Sequence, residues 1–529
     1  MTDTPAVLIS DALSEDAVRV LEERGLRVTF DPSLGKNPEA LRAALPGHQG
    51  LAIRSASKAT AGLIGAAPDL KVIGRAGIGV DNVDIEAATA AGIVVMNTPF
   101  GNATTTAEHA VAMLLALARH IPQASESTHK GLWEKSRFTG TEVTGKTLGL
   151  IGCGNIGAIV ASRAQGLKMK VAAYDPYLTE ERAEALGVAR LSLDDLLARA
   201  DFVSIHTPLT DQTRNILDAE ALSKAKPGIR IVNCARGGLI DEAALLDALE
   251  AGQVGGAALD VFAEEPAREN PLFGRPDVIC TPHLGAATAE AQETVAVQIA
   301  EQIADYLLTG AVTNALNSPS VSAEEAPRLR PYIALAERLG SLCGQLAEGA
   351  VREVSIGYAG QVAGLNLAPI TAAALSSALR PTLQGVNTVN APVVAKDRGI
   401  KLTETRTETS PNFGATITFR LVAEGGEHAF TGALFGGEPR VVRIGAVRLE
   451  SGFAPHLLYV RNADEPGFIG ALGGVLAEAG VNIATFALGR AEAGGDAVAL
   501  IATDQAVAGE TLTRVQGLPQ VRAVKALRF

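Results

Sequence analysis

Three polar residues follow three separate apolar runs in the middle of this sequence. Arg236 comes after IRIVNCA, Glu265 after LDVFAE and His283 after VICTP. A guanidinium binds a carboxylate through two parallel hydrogen bonds, and an imidazole oriented by a carboxylate accepts the proton of a hydroxyl group. Together these groups suit the oxidation of a 2-hydroxy acid. Taken singly, each also fits an ordinary place: a surface turn, a solvated loop and the entry to a helix.

The three residues need a fold that brings distant strand ends together. They lie 29 and 18 residues apart, so no single helix or strand carries them. Doubly wound α/β folds line one cleft with the carboxyl ends of their parallel strands. The sequence therefore predicts that Arg236, Glu265 and His283 meet at such a cleft.

A glycine-rich turn upstream indicates what binds beside them. The run LGLI leads into Gly152, Gly154 and Gly157, which open a helical stretch, and a second apolar run (171–174) delivers Asp175. The glycines permit a tight turn, a close approach of backbone to a pyrophosphate, and packing of helix on strand, while the helix N-terminus attracts phosphates. Asp175 suits a ribose diol, and no basic residue directly follows it, so the pattern favours NAD over NADP. A glycine-rich turn without a ligand is the alternative.

The composition limits the classes of protein to which the chain can belong. Its 529 residues correspond to about three or four domains, and 47% of them are hydrophobic. A net charge of −12 argues against a general nucleic-acid or anionic-membrane binder. The four cysteines lack metal-ligand spacing, so we expect no metal site and no disulfide framework. Without a basic apolar leader or a membrane-length apolar stretch, we expect a cytoplasmic protein.

The order of apolar runs predicts an α/β protein of several domains. β-like runs alternate with helical stretches in two blocks, which predicts two doubly wound parallel-sheet lobes, one Rossmann-like and one flavodoxin-like, joined by one long helix over 103–121. An α+β insert and a ferredoxin-like βαββαβ module follow. The predicted domains are a discontinuous substrate-binding lobe (1–100 with 286–318), an NAD-binding lobe (101–285), an intervening domain (319–452) and a regulatory domain (455–529).

Five segments resemble those of the D-2-hydroxyacid dehydrogenase family. They are GRAGIGVDNVD (74–84), GCGNIG (152–157), NCARGGLIDEAAL (233–245), ALDVFAEEP (258–266) and TPHLGAAT (281–288). Within the family, the resemblance is closest to the branch that oxidises D-3-phosphoglycerate to 3-phosphohydroxypyruvate with NAD, at the start of serine biosynthesis. It also covers the insert and the C-terminal module, which resemble the intervening and ACT domains of the long form of that branch.

The resemblance implies roles for individual residues. Arg236 would bind the substrate carboxylate, His283 would be the acid/base and Glu265 its partner. The implied NAD contacts in the glycine-rich turn are Gly152, Gly154, Asn155, Ile156 and Gly157, and Asp175 would contact the ribose. Thr207 and Pro208 would lie on the adenine side, and the residues implied near the nicotinamide are Cys234, Ala235, Asp260 and Gly285. For Cys234 and Asp260, packing at strand ends is the alternative.

Basic residues of the N-terminal half resemble the family's site for the substrate phosphate. Arg54 and Arg75 match one part of it, with Ser55 and Gly77 beside them. A second part resembles the basic segment that a neighbouring subunit contributes, and its residues are Lys135 and Arg137. The alternative is that these charges form a solvated face.

The C-terminal module offers a candidate effector site. Asp464 lies in a turn that opens a helix, whose N–H groups can hold a carboxylate, and Asp464 and Asn482, with Asn462 nearby, suit the amino and hydroxyl groups of L-serine. The alternative is that Asp464 only caps the helix. RNA is not an expected partner, because the module offers few stacking aromatics and no basic RNP pattern. Since ACT units commonly associate edge to edge, the resemblance implies a homo-oligomer, at least a dimer and expected to be a tetramer.

Two other functions stay open at this point. One is a dehydrogenase or reductase for another 2-hydroxy acid, such as 2-hydroxyglutarate. The other is an NAD-sensing binding protein of the same fold, because relatives of that kind keep the Arg, Glu and His set. The ACT-like module favours the enzyme.

Overall fold

The computed structural model describes residues 4–322, 324–410, 412–507 and 509–529, which are organised around four sheets. Two sheets are parallel, with five and seven strands, and they are followed by a mixed sheet of six strands and an antiparallel sheet of four. This confirms the predicted fold class. Within the described ranges, no helix is both long enough and apolar enough to cross a bilayer.

The first sheet is flavodoxin-like. Its elements are β1 (Ala6–Ile9), α1 (Glu15–Glu23), β2 (Arg27–Phe30), α2 (Pro38–Ala44), β3 (Gly50–Ile53), α3 (Ala61–Ile64), β4 (Val72–Arg75), α4 (Ile85–Ala91) and β5 (Val94–Asn97). The strands pair in parallel in the order β2-β1-β3-β4-β5. β1 and β3 are buried along their whole length, as expected of strands with helices on both faces.

The second sheet has the Rossmann strand order. Its elements are α5 (Ala103–Arg119), α6 (Ile121–His129), β6 (Thr147–Ile151), α7 (Asn155–Gly166), β7 (Lys170–Tyr174), α8 (Glu180–Leu186), β8 (Ala189–Arg190), α9 (Leu193–Arg199), β9 (Phe202–Ile205), α10 (Ala219–Lys224), β10 (Ile229–Asn233), α11 (Glu242–Glu250), β11 (Val254–Leu259) and β12 (Val278–Cys280). The order is β12-β11-β10-β9-β6-β7-β8, so the chain reverses direction across the sheet between β6 and β9. That switch point is where such sheets bind dinucleotides.

The helix expected over 103–121 is interrupted, which corrects the sequence prediction. α5 ends at Arg119, His120 adopts a left-handed conformation (φ 52°), and α6 begins at Ile121. Pro122 has no N–H to donate to the carbonyl of Ala118. That carbonyl accepts instead from the N–H of Thr141, at 2.8 Å.

A long helix returns from the second sheet to the first. This helix, α12 (Ala289–Thr309), packs against β3 and β4. A Cβ added to Gly74 would lie 2.6 Å from Ile303 Cδ1, so the helix sits directly on the backbone of β4. The N-terminal lobe therefore draws its core from residues before and after the nucleotide lobe, with the cleft between the lobes.

The remaining two sheets share a core. Their elements are α13 (Ala326–Leu346), β13 (Val351–Gly360), α14 (Ala368–Leu379), α15 (Ala391–Asp397), β14 (Lys401–Thr407), β15 (Ala415–Ala423), β16 (Gly426–Phe435), β17 (Glu438–Ile444), β18 (Val447–Gly452), β19 (His456–Ala463), α16 (Phe468–Glu478), β20 (Ile483–Arg490), β21 (Asp496–Thr503), α17 (Gly509–Gln516) and β22 (Val521–Arg528). The last sheet has the order β20-β21-β19-β22, as a βαββαβ module requires. Phe430 of the insert packs against Tyr459 of this module, and Asn390 donates to the carbonyl of Ala90 at 3.1 Å, which joins the insert to the first lobe.

Candidate active site

The three polar residues singled out in the sequence lie together at the edge of the nucleotide sheet. Arg236 follows β10, Glu265 follows β11 and His283 follows β12, and these three strands are neighbours. His283 Nδ1 lies 2.7 Å from Glu265 Oε2. The other carboxylate oxygen of Glu265 accepts from the N–H of Phe262 at 3.0 Å. The carboxylate is therefore fixed at both oxygens, and it orients the ring so that Nε2 is the nitrogen left for a reacting group.

Electrostatics at this pair favour the charged form of the imidazole. The hydrogen bond to Glu265 holds the pKa of His283 above its ordinary value, although partial burial and the nearby Arg236 oppose this. Burial raises the pKa of Glu265, but the bonds from His283 and Phe262 outweigh it and leave that pKa below its ordinary value. A proton gained by His283 is therefore stabilised by an ionised partner.

A buried carboxylate fixes the backbone beneath His283. Asp260 is fully buried, and it accepts hydrogen bonds from the Thr281 hydroxyl at 2.6 Å and from the N–H groups of Leu284 at 2.7 Å and Gly285 at 2.8 Å. The backbone of His283 itself adopts a left-handed conformation (φ 56°) and donates to the carbonyl of Asp260 at 2.9 Å. Asp260 thus shapes the turn that aims the imidazole into the cleft.

His109 completes this network and was missed in the sequence. It lies on α5, with Nε2 3.2 Å from Asp260 Oδ1 and 3.4 Å from the Thr281 hydroxyl. The strand-end argument could not find it, because it belongs to a helix in the middle of an ordinary amphipathic pattern. Only the crossover of α5 behind β11 and β12 brings it to Asp260.

Three of these groups could in principle surround a metal ion. Ligand atoms of His109, Cys234 and Asp260 lie within 4.8 Å of one another. The donor chemistry fits a hydrogen-bonded network better. Hydrogen bonds from the Thr281 hydroxyl and from two backbone N–H groups already occupy both Asp260 oxygens, and burial raises the pKa of the Cys234 thiol far above its ordinary value, which keeps it protonated. We therefore assign no metal to this cluster.

The turn that carries Arg236 is held by its own neighbours. The amide of Asn233, which is buried, accepts from the N–H of Ala235 at 3.0 Å and donates to the carbonyl of Arg236 at 2.9 Å. Gly237 lies directly against the next loop, since a Cβ there would be 1.8 Å from the carbonyl oxygen of Phe262. This contact sets the Arg236 turn beside the loop that carries Glu265. Asn233 is a positioning residue that the sequence analysis did not single out.

The glycine-rich turn has the form that a dinucleotide requires. Gly152 is in the left-handed region (φ 91°), and a Cβ on Gly157 would lie 2.3 Å from the carbonyl oxygen of Gly152, so the helix packs tightly on the turn. A Cβ on Gly154 would meet no heavy atom within 4 Å. The space beside Gly154 faces the N-terminus of α7, where Asn155 and Ile156 begin the helix. The residues present fit a pyrophosphate at this point.

The other predicted NAD residues surround this turn. Asp175 accepts from the N–H of Cys153 at 2.8 Å and from the N–H of Tyr177 at 2.8 Å, which ties the end of β7 to the turn and leaves further lone pairs for hydroxyl donors. Thr207 N would lie 3.1 Å from a Cβ on Gly152, so the segment after β9 borders the same space, with Pro208 exposed next to it.

His206 borders the same space and was also missed, although it follows β9 as the strand-end rule requires. Its Nε2 lies 2.8 Å from the Ser204 hydroxyl, and its Nδ1 is buried without a partner. Burial lowers the pKa of His206 to about 4, so the ring is neutral at physiological pH. It contributes shape to the pocket and no charge.

The residues predicted near the nicotinamide lie at the adjoining strand ends. A Cβ on Gly285 would lie 3.2 Å from Asp260 Oδ2 and 3.8 Å from the carbonyl oxygen of Cys234. Cys234 is buried and Ala235 is half-buried. The structure therefore brings Cys234, Ala235, Asp260 and Gly285 together beside the catalytic candidates. For Asp260, the hydrogen bonds described above are those of a structural anchor.

Part of the predicted phosphate site forms one cationic cluster. Arg75 is mostly buried, its Nε has no partner, and its pKa is lowered to about 10 by burial and by the nearby charges of Arg236 and Arg54. Arg75 Nη1 would lie 1.8 Å from a Cβ on Gly77, so that glycine makes room for the guanidinium. Ser55 is exposed on the same loop as Arg54. Arg75, with the charges of Arg54 and Arg236 close by, forms a site prepared for an anion.

Acidic residues that the sequence analysis missed organise this cluster. Asp11, at the end of β1, is buried, and it accepts from the N–H of Arg54 at 2.5 Å and from the Ser57 hydroxyl at 2.7 Å. Asp81 accepts from Arg236 Nε at 3.1 Å. The first shapes the loop that carries Arg54, and the second joins the two lobes across the cleft.

Lys135 and Arg137 do not join the cluster within one chain. They lie on a 3-10 turn, Lys135–Phe138, and Arg137 pairs with Glu134 at 3.1 Å. Among the described residues, the basic neighbours whose charge lowers the pKa of Arg75 are Arg236 and Arg54, and neither Lys135 nor Arg137 is one of them. Their predicted contribution requires a neighbouring subunit.

The three effector candidates do not form one site within a chain. Asp464 accepts from Arg490 Nη1 at 2.7 Å and from the N–H of Gly494 at 2.9 Å, and these bonds hold its pKa below the ordinary value. Asn482 donates to Asp504 Oδ2 at 2.7 Å. Asp464 lies beside the first residue of β21 and Asn482 beside the last, so they are at opposite ends of the sheet. Asn462 is buried, and its Oδ1 has no partner.

Comparison with family models divides the chain into three matched parts. Residues 111–285 match the NAD-binding domain of the D-isomer specific 2-hydroxyacid dehydrogenases. Residues 328–445 match the D-3-phosphoglycerate dehydrogenase intervening domain, and residues 456–520 match the ACT domain.

Curated relatives match the chain over nearly its whole length. D-3-phosphoglycerate dehydrogenase of Synechocystis is 42% identical over 98% of this chain and 94% of its own. The Bacillus subtilis enzyme of the same name is 40% identical over 98% of this chain and 99% of its own. Among solved structures, D-lactate dehydrogenase of Aquifex aeolicus in complex with NAD and lactic acid is 27% identical, with a TM-score of 0.53, over 60% of this chain and all of its own.

Proposed function

Because the chain belongs to the D-3-phosphoglycerate dehydrogenase family, in the long form with intervening and ACT domains, we propose that it oxidises D-3-phosphoglycerate to 3-phosphohydroxypyruvate with NAD, the first step of serine biosynthesis. The observation that carries this proposal is the joint placement of Arg54 and Arg75 opposite Arg236 in one cationic cluster. An unphosphorylated 2-hydroxy acid needs one guanidinium for its carboxylate. Three guanidiniums beside the acid/base pair suit a substrate with a carboxylate and a phosphate.

The catalytic steps follow from the orientation of His283. Arg236 holds the substrate carboxylate, which sets the C2 hydroxyl toward Nε2 of His283. The ring accepts the hydroxyl proton on Nε2, and Glu265, bonded to Nδ1 at 2.7 Å, stabilises the imidazolium that results. NAD, when bound, would supply the acceptor for the hydride that leaves C2. In the reverse direction, the imidazolium returns the same proton to the carbonyl oxygen.

The cofactor is held by the nucleotide lobe. Gly154 and the N–H groups at the start of α7 would hold the pyrophosphate, and Asp175 would accept from the adenosine ribose. Cys234, Ala235 and Gly285 border the nicotinamide end of the pocket. An acid at position 175 without a following base also disfavours a 2′-phosphate, and this supports the choice of NAD.

The phosphate is held by the first lobe. Arg54 and Arg75 supply the guanidiniums, and the left-handed-region glycine at position 77 (φ 136°) lets the backbone turn beside them. Lys135 and Arg137 of a neighbouring subunit complete the site in the assembled enzyme. The proposed division of the chain stays as predicted: a substrate lobe (1–100 with 286–318), an NAD lobe (101–285), an intervening domain (319–452) and an ACT domain (455–529).

Regulation by L-serine is part of the proposal. Asp464 and Asn482 lie at opposite ends of one ACT sheet, so a shared effector site needs two copies of the module, each contributing one of the two residues. This requirement supports a homo-oligomer, and we propose a tetramer. In such a site, Asp464 meets the amino group of serine and Asn482 its hydroxyl group.

A steady-state assay of NADH absorbance tests the proposed function. The enzyme is offered D-3-phosphoglycerate, D-glycerate, D-lactate and D-2-hydroxyglutarate with NAD, and the corresponding 2-keto acids with NADH. We expect D-3-phosphoglycerate to give the highest kcat/KM. His283→Ala is expected to abolish turnover while NADH still binds. Full activity of that variant would exclude His283 as the acid/base, and absence of turnover with every substrate in the wild type would favour an NAD-sensing protein.

A further inference from the structure

One acidic side chain in the cleft has no part in the proposed reaction, yet it contacts the residue that binds the substrate. Asp81 lies on the loop after β4, in the first lobe, and its side chain is 72% exposed. Its Oδ2 accepts from Nε of Arg236, in the other lobe, at 3.1 Å. Within the described part of the chain, this is the one hydrogen bond of the Asp81 side chain, so an exposed acid forms an ion pair across the cleft.

The contact uses the edge of Arg236 that a carboxylate would use. Nη1 of Arg236 already donates to the carbonyl of Ala235 at 2.7 Å, which leaves Nε and Nη2 for a bidentate partner. Nη2 lies beside Gly79, where a Cβ would be only 1.9 Å from it and 3.0 Å from Asp81 Oδ2. The glycine therefore keeps this edge open, and Asp81 occupies half of it.

Asp81 also reduces the positive charge that the cluster presents. It lies close enough to Arg75 to oppose the lowering of that residue's pKa, which Arg54 and Arg236 cause together with burial. Without substrate, the carboxylate of Asp81 partly neutralises the cluster. A substrate that brings its own carboxylate makes this partner redundant.

We propose that Asp81 is an internal competitor for the substrate carboxylate, an inference that rests on the proposed function. It occupies Arg236 in the empty cleft, and the substrate must displace it to form the bidentate pair. This displacement adds the same free-energy cost to the binding of every carboxylate that pairs with Arg236 in this way. Asp81 thereby weakens the binding of every carboxylate that takes its place on Arg236.

The proposal predicts a gain of affinity when the charge is removed. Exposed ion pairs are weak, so Asp81→Asn is expected to tighten substrate binding by about two- to fivefold. In turnover assays, KM falls by a similar factor and kcat is unchanged. A residue that only oriented Arg236 would give the opposite result, a higher KM on substitution.

Binding without turnover gives the direct test. Calorimetric titration of D-3-phosphoglycerate and, separately, of oxalate is carried out on the NAD-loaded His283→Ala enzyme with and without Asp81→Asn. Glu86→Gln, an exposed acid of α4 in the same lobe, is the matched control for loss of charge. Both ligands are expected to bind more tightly with Asp81→Asn, by similar factors, and with unchanged affinity in the control.

The outcomes separate this proposal from the proposed function. Unchanged or weaker binding of both ligands to Asp81→Asn would overturn the role of Asp81, and so would an equal gain from Glu86→Gln. If D-3-phosphoglycerate fails to bind while oxalate binds more tightly to the variant, the proposed substrate is wrong and the role of Asp81 stands. Thermal unfolding of Asp81→Asn, expected to match the wild type because the side chain is exposed, verifies that the variant is folded.

Discussion

Two glycines of the nucleotide turn, three residues apart, should respond differently to the same added methyl group. A Cβ on Gly154 meets no protein atom within 4 Å, whereas a Cβ on Gly157 lies 2.3 Å from the carbonyl oxygen of Gly152. Gly154→Ala therefore leaves the fold without NAD almost unchanged, at a cost below about 1 kcal/mol for alanine at a helix N-cap. Gly157→Ala forces the helix off the turn, at about 1–3 kcal/mol.

Binding of the cofactor should show the complementary pattern. The open space at Gly154 is where the backbone approaches the pyrophosphate, so a methyl group there displaces the phosphate from the N–H groups of α7. A hydrogen bond to a charged group contributes about 1.5–3 kcal/mol, and its loss raises the Kd for NADH by about ten- to hundredfold. Gly166→Ala, at the other end of α7 and also free of contacts, is the matched control.

The assay combines fluorescence titration of NADH with thermal unfolding of the cofactor-free protein. We expect Gly154→Ala to lose NADH affinity and keep its unfolding temperature, and Gly166→Ala to keep both. Wild-type NADH affinity in Gly154→Ala would refute the assignment of this turn to the pyrophosphate. A loss of stability as large as that of Gly157→Ala would refute the view that the space at Gly154 is open.

Four further variants and one titration test the rest of the site. Glu265→Gln removes the main cause of the raised pKa of His283, so the rise of the oxidation rate with pH, which reports neutral His283, should move to lower pH while kcat falls; an unchanged pH profile would contradict the pairing. Arg54→Ala should raise KM for D-3-phosphoglycerate by about tenfold or more and leave KM for D-glycerate unchanged, and an equal effect on both would remove Arg54 from the phosphate site. Asp260→Asn leaves at least one of its bonded N–H groups without an acceptor, so denaturant unfolding should show a loss of about 1–3 kcal/mol together with a lower kcat, and wild-type behaviour would disprove its anchoring role. L-serine at millimolar concentration should slow turnover, and Asp464→Ala should relieve this; no response in the wild type would exclude serine as the effector.

Most of the fold could be predicted because its signals are local. Alternation of apolar runs with helical stretches is enough to indicate two parallel sheets, and the turn from Gly152 to Gly157 marks the dinucleotide lobe. The rule that polar residues after parallel strands share one cleft brought Arg236, Glu265 and His283 together. The break at His120 was not foreseen, because the apolar pattern continues through it and only Pro122 interrupts the hydrogen bonds.

The residues that sequence reasoning missed act through tertiary contacts. His109 reaches Asp260 from a crossover helix, and Asp11 shapes the Arg54 loop from a strand that is distant in sequence. Neither has a spacing that distinguishes it from an ordinary helix or loop residue. The separation of Asp464 and Asn482 likewise depends on the register of β19 and β20 on β21, which the sequence pattern does not determine.

The central claim is that this cleft selects a phosphorylated 2-hydroxy acid through Arg54 and Arg75. The most direct measurement is the ratio of kcat/KM for D-3-phosphoglycerate to that for D-glycerate, with NAD, from the rate of NADH formation. Two charge-assisted contacts of about 1.5–3 kcal/mol each predict a ratio of at least about a hundred. A ratio near one, or a preference for D-glycerate, would contradict the account.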